Sequence, residues 1–205
     1  MTTEEIIQKA VAAMRDGGVI LYPTDTIWGL GCDATNPEAV QRIFDIKQRP
    51  DSKSLVLLAS DLDMVARYIK KIPNIAIDLV EVNDKPMTLI YPGAICGEKP
   101  AEGEKAAMDK HLLAWNTVAE DGSVGIRIPM MDFCVALCRK LGRPIVSTSA
   151  NISGEPSPKV FTDIPQEIVS AADFVVPRYL EKGSTRLASQ IIKVGLHDEV
   201  EVIRP

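Results

Sequence analysis

Four short stretches gather side chains able to do chemistry: PTDT (23–26), KQRPDSK (47–53), IRIP (126–129) and STSANISGEPSP (147–158). In the first, Pro23 withdraws an amide donor where the apolar run VILY ends, and Thr24, Asp25 and Thr26 offer hydroxyls and a carboxylate beyond it. Gly29 and Gly31 follow and permit close backbone approach, so a decorated turn and the wall of a pocket both fit. The second stretch sets Lys47, Arg49 and Lys53 at the end of a helix that Pro50 halts. Attraction to a helix C-terminus accounts for such charges, yet three cations also suit a triphosphate, met by a planar fork and two mobile point charges. Arg127 ends an otherwise apolar strand, where an unpaired guanidinium would be costly; it requires an anion, either an internal carboxylate or that of a substrate. The fourth stretch places four serines, Thr148 and Asn151 directly after the strand PIV, a loop of short donors and acceptors suited to phosphate or carboxylate.

Several chemistries are disfavoured. No Walker loop, GxGxxG fingerprint or GxSxG elbow is present, and His111 and His197 lie near none of the four stretches, which argues against a Ser/His/Asp triad. Cys32, Cys96, Cys134 and Cys138 lack the paired spacing of a zinc site or disulfide framework and read as small packing residues. The formal charge of −5 argues against uniform attraction to a nucleic-acid backbone, while leaving room for a local basic patch. What remains is catalysis by positioning and charge stabilisation.

The elements that must hold these groups alternate. Residues 3–16 put Ile6, Ile7, Ala10, Val11 and Met14 on one helical face behind a Thr2–Glu5 capping box. VILY (19–22) is a buried strand, and Asn36-Pro37 opens a helix to about Lys47 that buries Val40, Ile43 and Phe44. A strand at 54–59, a helix from Asp61 with Leu62, Val65, Ala66 and Ile69 inward, a helix near 74–82 and a strand at 87–91 come next. Residues 97–107 look like an exposed insertion. A strand at 123–128, a helix at 132–141 ending at Gly142, a strand at 144–148 and short strands near 173–176, 189–194 and 199–203 complete an α/β sheet. The pattern shows no repeat and no boundary within 1–205. No apolar run reaches the roughly 18 residues of a membrane span. The acidic N-terminal stretch is unlike a secretory leader, so a soluble cytoplasmic protein is expected.

The ordered set GGVILYPTDTIWGLGCDA, KQRP, SVGIRIP, STSANISG and a late SQIIKV…VIRP resembles the YrdC-like family of threonylcarbamoyl-adenylate synthases from about residue 17 to 205. The resemblance implies a single α/β domain, a twisted open mixed sheet with flanking helices around a concave basic cavity. It also implies a nucleotidyltransferase that makes threonylcarbamoyl-AMP and pyrophosphate from L-threonine, bicarbonate or CO2, and ATP. The product would feed the transferase machinery that forms N6-threonylcarbamoyladenosine at position 37 of tRNA. By motif, Thr26, Leu58 (through its backbone), Arg127, Ser147 and Ser189 would hold threonine. Lys47, Arg49, Lys53, Ser123, Ser149, Asn151, Ser157 and Arg204 would hold ATP, and Lys47, Arg49 and Arg127 would be catalytic. Mg2+ would arrive with ATP. The chain departs from the family pattern at PGAIC (92–96) for PGPxT, SQI (189–191) for STV, KSL (53–55) for NPL, and Trp28 for a frequent tyrosine. Two alternatives stand beside the synthase: a non-catalytic module binding tRNA or double-stranded RNA, and a paralogue acting on another small molecule.

Overall fold

The computed structural model describes residues 1–48 and 55–205, so Arg49 and Lys53 lie outside the described residues. Helix α1 (Thr3–Arg15) opens on the expected reciprocal cap: the Glu5 amide donates to Thr2 Oγ1 at 3.2 Å and the Thr2 amide to Glu5 Oε2 at 2.8 Å. Its five apolar positions are all buried. Strand β1 (Ile20–Tyr22) follows. Strand β2 (Gly29–Gly31) returns antiparallel to it, and the chain then enters α2 (Pro37–Ile46), capped by Asn36 Oδ1 on two amides at 3.1 Å. After β3 (Val56–Leu58) come α3 (Leu62–Ala66), α4 (Asn74–Val82) and β4 (Met87–Tyr91). The second half runs β5 (Val124–Arg127), α5 (Asp132–Leu141), β6 (Ile145–Ser149), α6 (Gln166–Ala171), β7 (Phe174–Val175), β8 (Gln190–Val194) and β9 (Val200–Arg204). Helix α5 stops where Gly142 turns left-handed at φ +79°, a conformation that costs glycine little.

The strands hydrogen-bond in the order β7-β1-β2-β6-β3-β5-β4-β8-β9, a mixed, open sheet whose end strands do not meet. Among the described residues no helix is long and apolar enough to cross a membrane.

Register decides what this sheet presents. Side chains alternate along a strand, and residues paired across strands share a face. Gly29 pairs with Ser149, Ser147 with Val56, Val56 with Gly125, Arg127 with Thr88, Thr88 with Ile191, and Ile191 with Arg204. Residues from seven strands, drawn from both halves of the chain, thus lie on one face.

Gly29 and Gly31 form a strand that the sequence pattern did not mark. A Cβ on Gly31 would sit 2.6 Å from the Tyr22 ring and 2.7 Å from the Val146 carbonyl, so only glycine lets that ring lie across the strand. One expectation needs correction. Helix α3 is shorter than the apolar spacing suggests: Ala66 is exposed and Leu62 half-buried, while Ile69 is buried as part of an extended segment. There the Ile95 amide donates to the Tyr68 carbonyl at 2.8 Å and the Lys70 amide to the Gly93 carbonyl at 2.9 Å, so pairing between chain segments replaces the next helical turn. Residues 97–107 carry neither helix nor strand and are mostly exposed, as expected.

Candidate functional site

The shared face lines a cavity of about 280 Å³. The β1–β2 loop supplies Thr24, Thr26, Ile27 and Trp28; the end of β6 and the loop after it supply Ser147, Thr148, Ser149 and Ser157; β5 and β9 supply Arg127 and Arg204, and Ser189 lies just before β8. The loop is wound tightly by its own hydroxyls. Thr24 Oγ1 donates to the Ile27 carbonyl at 2.7 Å, accepts the Thr26 amide at 3.1 Å, and lies 2.8 Å from Thr26 Oγ1. A strap after residue 182 closes against it: the amides of Thr185 and Arg186 donate to the carbonyls of Asp25 and Thr26 at 2.9 and 2.8 Å. This strap leads directly into Ala188 and Ser189 of the lining. Trp28, 1% exposed, packs edge-on against Phe161 at 4.9 Å between ring centres, which ties the front wall to the segment beyond the serine loop.

Among the described residues, two guanidiniums charge the cavity. Arg127 is buried and ion-paired with the buried Asp25 through Nη1, while its Nε has no partner among the described residues. Arg204 donates through Nε to the Ser189 carbonyl at 2.9 Å. Burial, then the neighbouring charge of Arg127, pushes Arg204 below the usual arginine value. Two cations near enough to disfavour each other need an anion to offset them, and Asp25 offsets one. Below them, Ser189 Oγ lies 2.8 Å from the buried Thr88 Oγ1. Among the described residues no group of three or more His, Cys, Asp or Glu could hold a metal ion. The cysteine sulfurs are all free; burial raises the thiol pKa of Cys32, Cys134 and Cys138, which removes them as nucleophiles.

The Sua5/YciO/YrdC family model, described as telomere recombination, matches residues 12–205. The chain belongs to this family. A protein named threonylcarbamoyl-AMP synthase from Stenotrophomonas maltophilia (strain K279a) is 37% identical over 153 residues, 75% of each chain. The structure of P. abyssi Sua5 complexed with L-threonine is similar at a TM-score of 0.74 and 26% identity, covering 95% of this chain and 52% of Sua5. E. coli YciO is similar at a TM-score of 0.71 and 26% identity, covering 99% of this chain and 89% of YciO. The chain therefore spans about half the length of that Sua5 and most of YciO.

In this member of the Sua5/YciO/YrdC family, the cavity brings together Thr26, Arg127, Ser147, Ser149, Ser157, Ser189 and Arg204 of the residues singled out in the sequence. Lys47 and Asn151 stand outside the lining and shape it. The Lys47 ammonium, 2% exposed, donates to the carbonyls of Ser149 and Asn151, the latter at 2.6 Å, and to Asn151 Oδ1 at 3.2 Å. The Asn151 amide nitrogen closes the loop on the Glu155 carbonyl at 2.6 Å. Leu58 and Ser123 are not in the lining. Leu58 shares the face but is buried at 1%, its carbonyl receiving the Cys138 thiol at 3.6 Å. Ser123 precedes β5, four residues and roughly 13 Å of strand from Arg127, and its hydroxyl donates to Asp121 at 2.6 Å. Sequence reasoning left the anion for Arg127 open between an internal carboxylate and a substrate; the internal one, Asp25, is present. Val56 and Ile191 were not picked out, since only the register brings them to the cavity; Trp28, noted in the sequence only as a departure from the family pattern, reaches it on the β1–β2 loop.

Proposed function

We propose that this protein is a threonylcarbamoyl-AMP synthase that joins L-threonine, CO2 or bicarbonate, and the adenylyl group of ATP, releasing pyrophosphate. The observation carrying this reading is the pair of adjacent guanidiniums, Arg127 and Arg204, set among hydroxyls in a cavity on one sheet face. The name of the Stenotrophomonas relative and the threonine held by Sua5 support it. In this reading Arg127 takes the threonine carboxylate, with Thr26, Ser147 and Ser189 around it. Threonine binds as a zwitterion, and its ammonium must lose a proton before the nitrogen can attack carbon. Its nitrogen bonds to CO2 and sheds a proton to give a carbamate. A carbamate oxygen then attacks the α-phosphorus, and the bond to pyrophosphate breaks. Arg204, Ser149 and Ser157 face the nucleotide and spread the charge that develops on its oxygens. Lys47 and Asn151 hold the loop that presents Ser149. Arg49 and Lys53 complete the phosphate contacts in the proposal. Mg2+ enters with ATP as part of that substrate.

The mixed anhydride formed would be consumed by a transferase acting on tRNA. Incubation with threonine, bicarbonate and ATP is expected to yield pyrophosphate and, by mass spectrometry, threonylcarbamoyl-AMP. Pyrophosphate release that ignores threonine, or product formed as well from another amino acid, would reject the assignment.

A further inference from the structure

Asp25 holds Arg127 from outside the cavity. Both side chains are 4% exposed. Each carboxylate oxygen is engaged: Oδ1 accepts from Arg127 Nη1, and Oδ2 accepts the Met130 amide at 3.0 Å. The backbone carbonyl accepts the Thr185 amide, so the strap leading to Ser189 is fastened to the same residue. Asp25 does not line the cavity that holds Arg127 and Arg204; it walls a separate hollow with Met130, Phe133 and Tyr179. It is therefore placed to act on a ligand through the arginine.

We propose that Asp25 is the positioning residue that makes Arg127 a receptor for a zwitterionic amino acid rather than for anions at large. Two consequences of the geometry lead there. An ion pair at Nη1 restrains the guanidinium from one side, while its Nε stays without a partner among the described residues. The carboxylate also cancels one of the two adjacent positive charges. Without it, a ligand bearing an amine beside its carboxylate meets two uncompensated cations, while a ligand bearing only negative charge is attracted more strongly. Asp25 would thus set ligand class by charge balance, with no contact to the ligand. The inference rests on the threonine reading above.

The test uses the full chain and calorimetric titration with two probes, L-threonine and inorganic pyrophosphate, on wild type and Asp25→Asn. Neutralising the carboxylate is expected to weaken threonine at least 10-fold while pyrophosphate binds as well as before or more tightly. A residue needed only for the fold would weaken both ligands together, so equal losses overturn the inference, as does undiminished threonine binding. Wild type that binds no threonine removes the functional reading and this inference with it. If Asp25→Asn does not fold, Asp25→Glu keeps the charge and displaces the fork. Threonine is then expected to weaken about 3-fold or more with pyrophosphate unchanged, and parallel weakening of the two overturns the proposal.

Discussion

Arg127 is buried with one carboxylate beside it and, among the described residues, no partner for its Nε. A charged hydrogen bond contributes about 1.5–3 kcal/mol, which is roughly 10- to 150-fold in affinity. Arg127→Lys keeps the charge and loses the fork; kcat/KM for threonine is expected to fall by about that factor in a steady-state pyrophosphate assay, with the KM for ATP changed far less. A variant matching wild type would show that Arg127 makes no bidentate contact. Asp121 allows a second prediction at this scale. Hydrogen bonds from the Ser123 hydroxyl and amide, then Lys193, hold its carboxyl down at about 2. A depressed acid stabilises the fold above its unfolded value near 3.9, and that contribution disappears as pH falls through 2. Because Asp121 and Lys193 are 54% and 43% exposed, solvent screening limits the effect to about 1 kcal/mol or less. Carboxyl NMR should find the Asp121 titration near pH 2, and Asp121→Asn should remove its share of the acid sensitivity between pH 4 and 2.

At the scale of elements, the hairpin β1–β2 and its neighbour β6 bring the loop of Thr24 and Thr26 against the serine loop. The close approach depends on glycine where the Tyr22 ring crosses Gly31 and its hydroxyl reaches the Val146 carbonyl at 3.3 Å. Gly31→Ala forces a methyl into backbone as well as ring, which costs about 1–3 kcal/mol. Thermal unfolding followed by circular dichroism should show a lower Tm, and unchanged stability would mean that β2 and β6 can separate freely. The cap of α2 offers a milder comparison. Asn36→Ala removes the acceptor for two amides, should cost about 1 kcal/mol, and leaves the strand spacing alone.

For the molecule as a whole, the sheet gathers groups distant in the chain and seals the material around them. Burial predicts graded thiol reactivity. Cys96 is half-buried, whereas Cys32, Cys134 and Cys138 are enclosed with raised thiol pKa values. A chromogenic disulfide reagent at pH 8 should modify Cys96 first in the native state, and the others only through opening of the core. Cys96→Ser should abolish the early phase; an early phase that persists would show that the core opens far more readily than its packing implies.

Local chemistry made much of this readable in advance. The Thr2–Glu5 box, the Asn36-Pro37 start and the Gly142 stop each act within about a turn of helix, so α1, α2 and α5 followed from neighbouring residues alone. The spacing of polar groups likewise marked Thr26, Arg127, Ser147, Ser149 and Ser157, the family resemblance added Ser189 and Arg204, and the cavity brings all of them together. Partnership across the chain was decided elsewhere. The carboxylate for Arg127 comes from 102 residues away, α3 yields its last turn to pairing with 93–95, and Leu58 and Ser123 are held away from the lining by strand burial and strand length. Capping and periodicity are short-ranged, while register is set by many strands at once; which groups share the cavity-lining face is therefore a property of the assembled sheet.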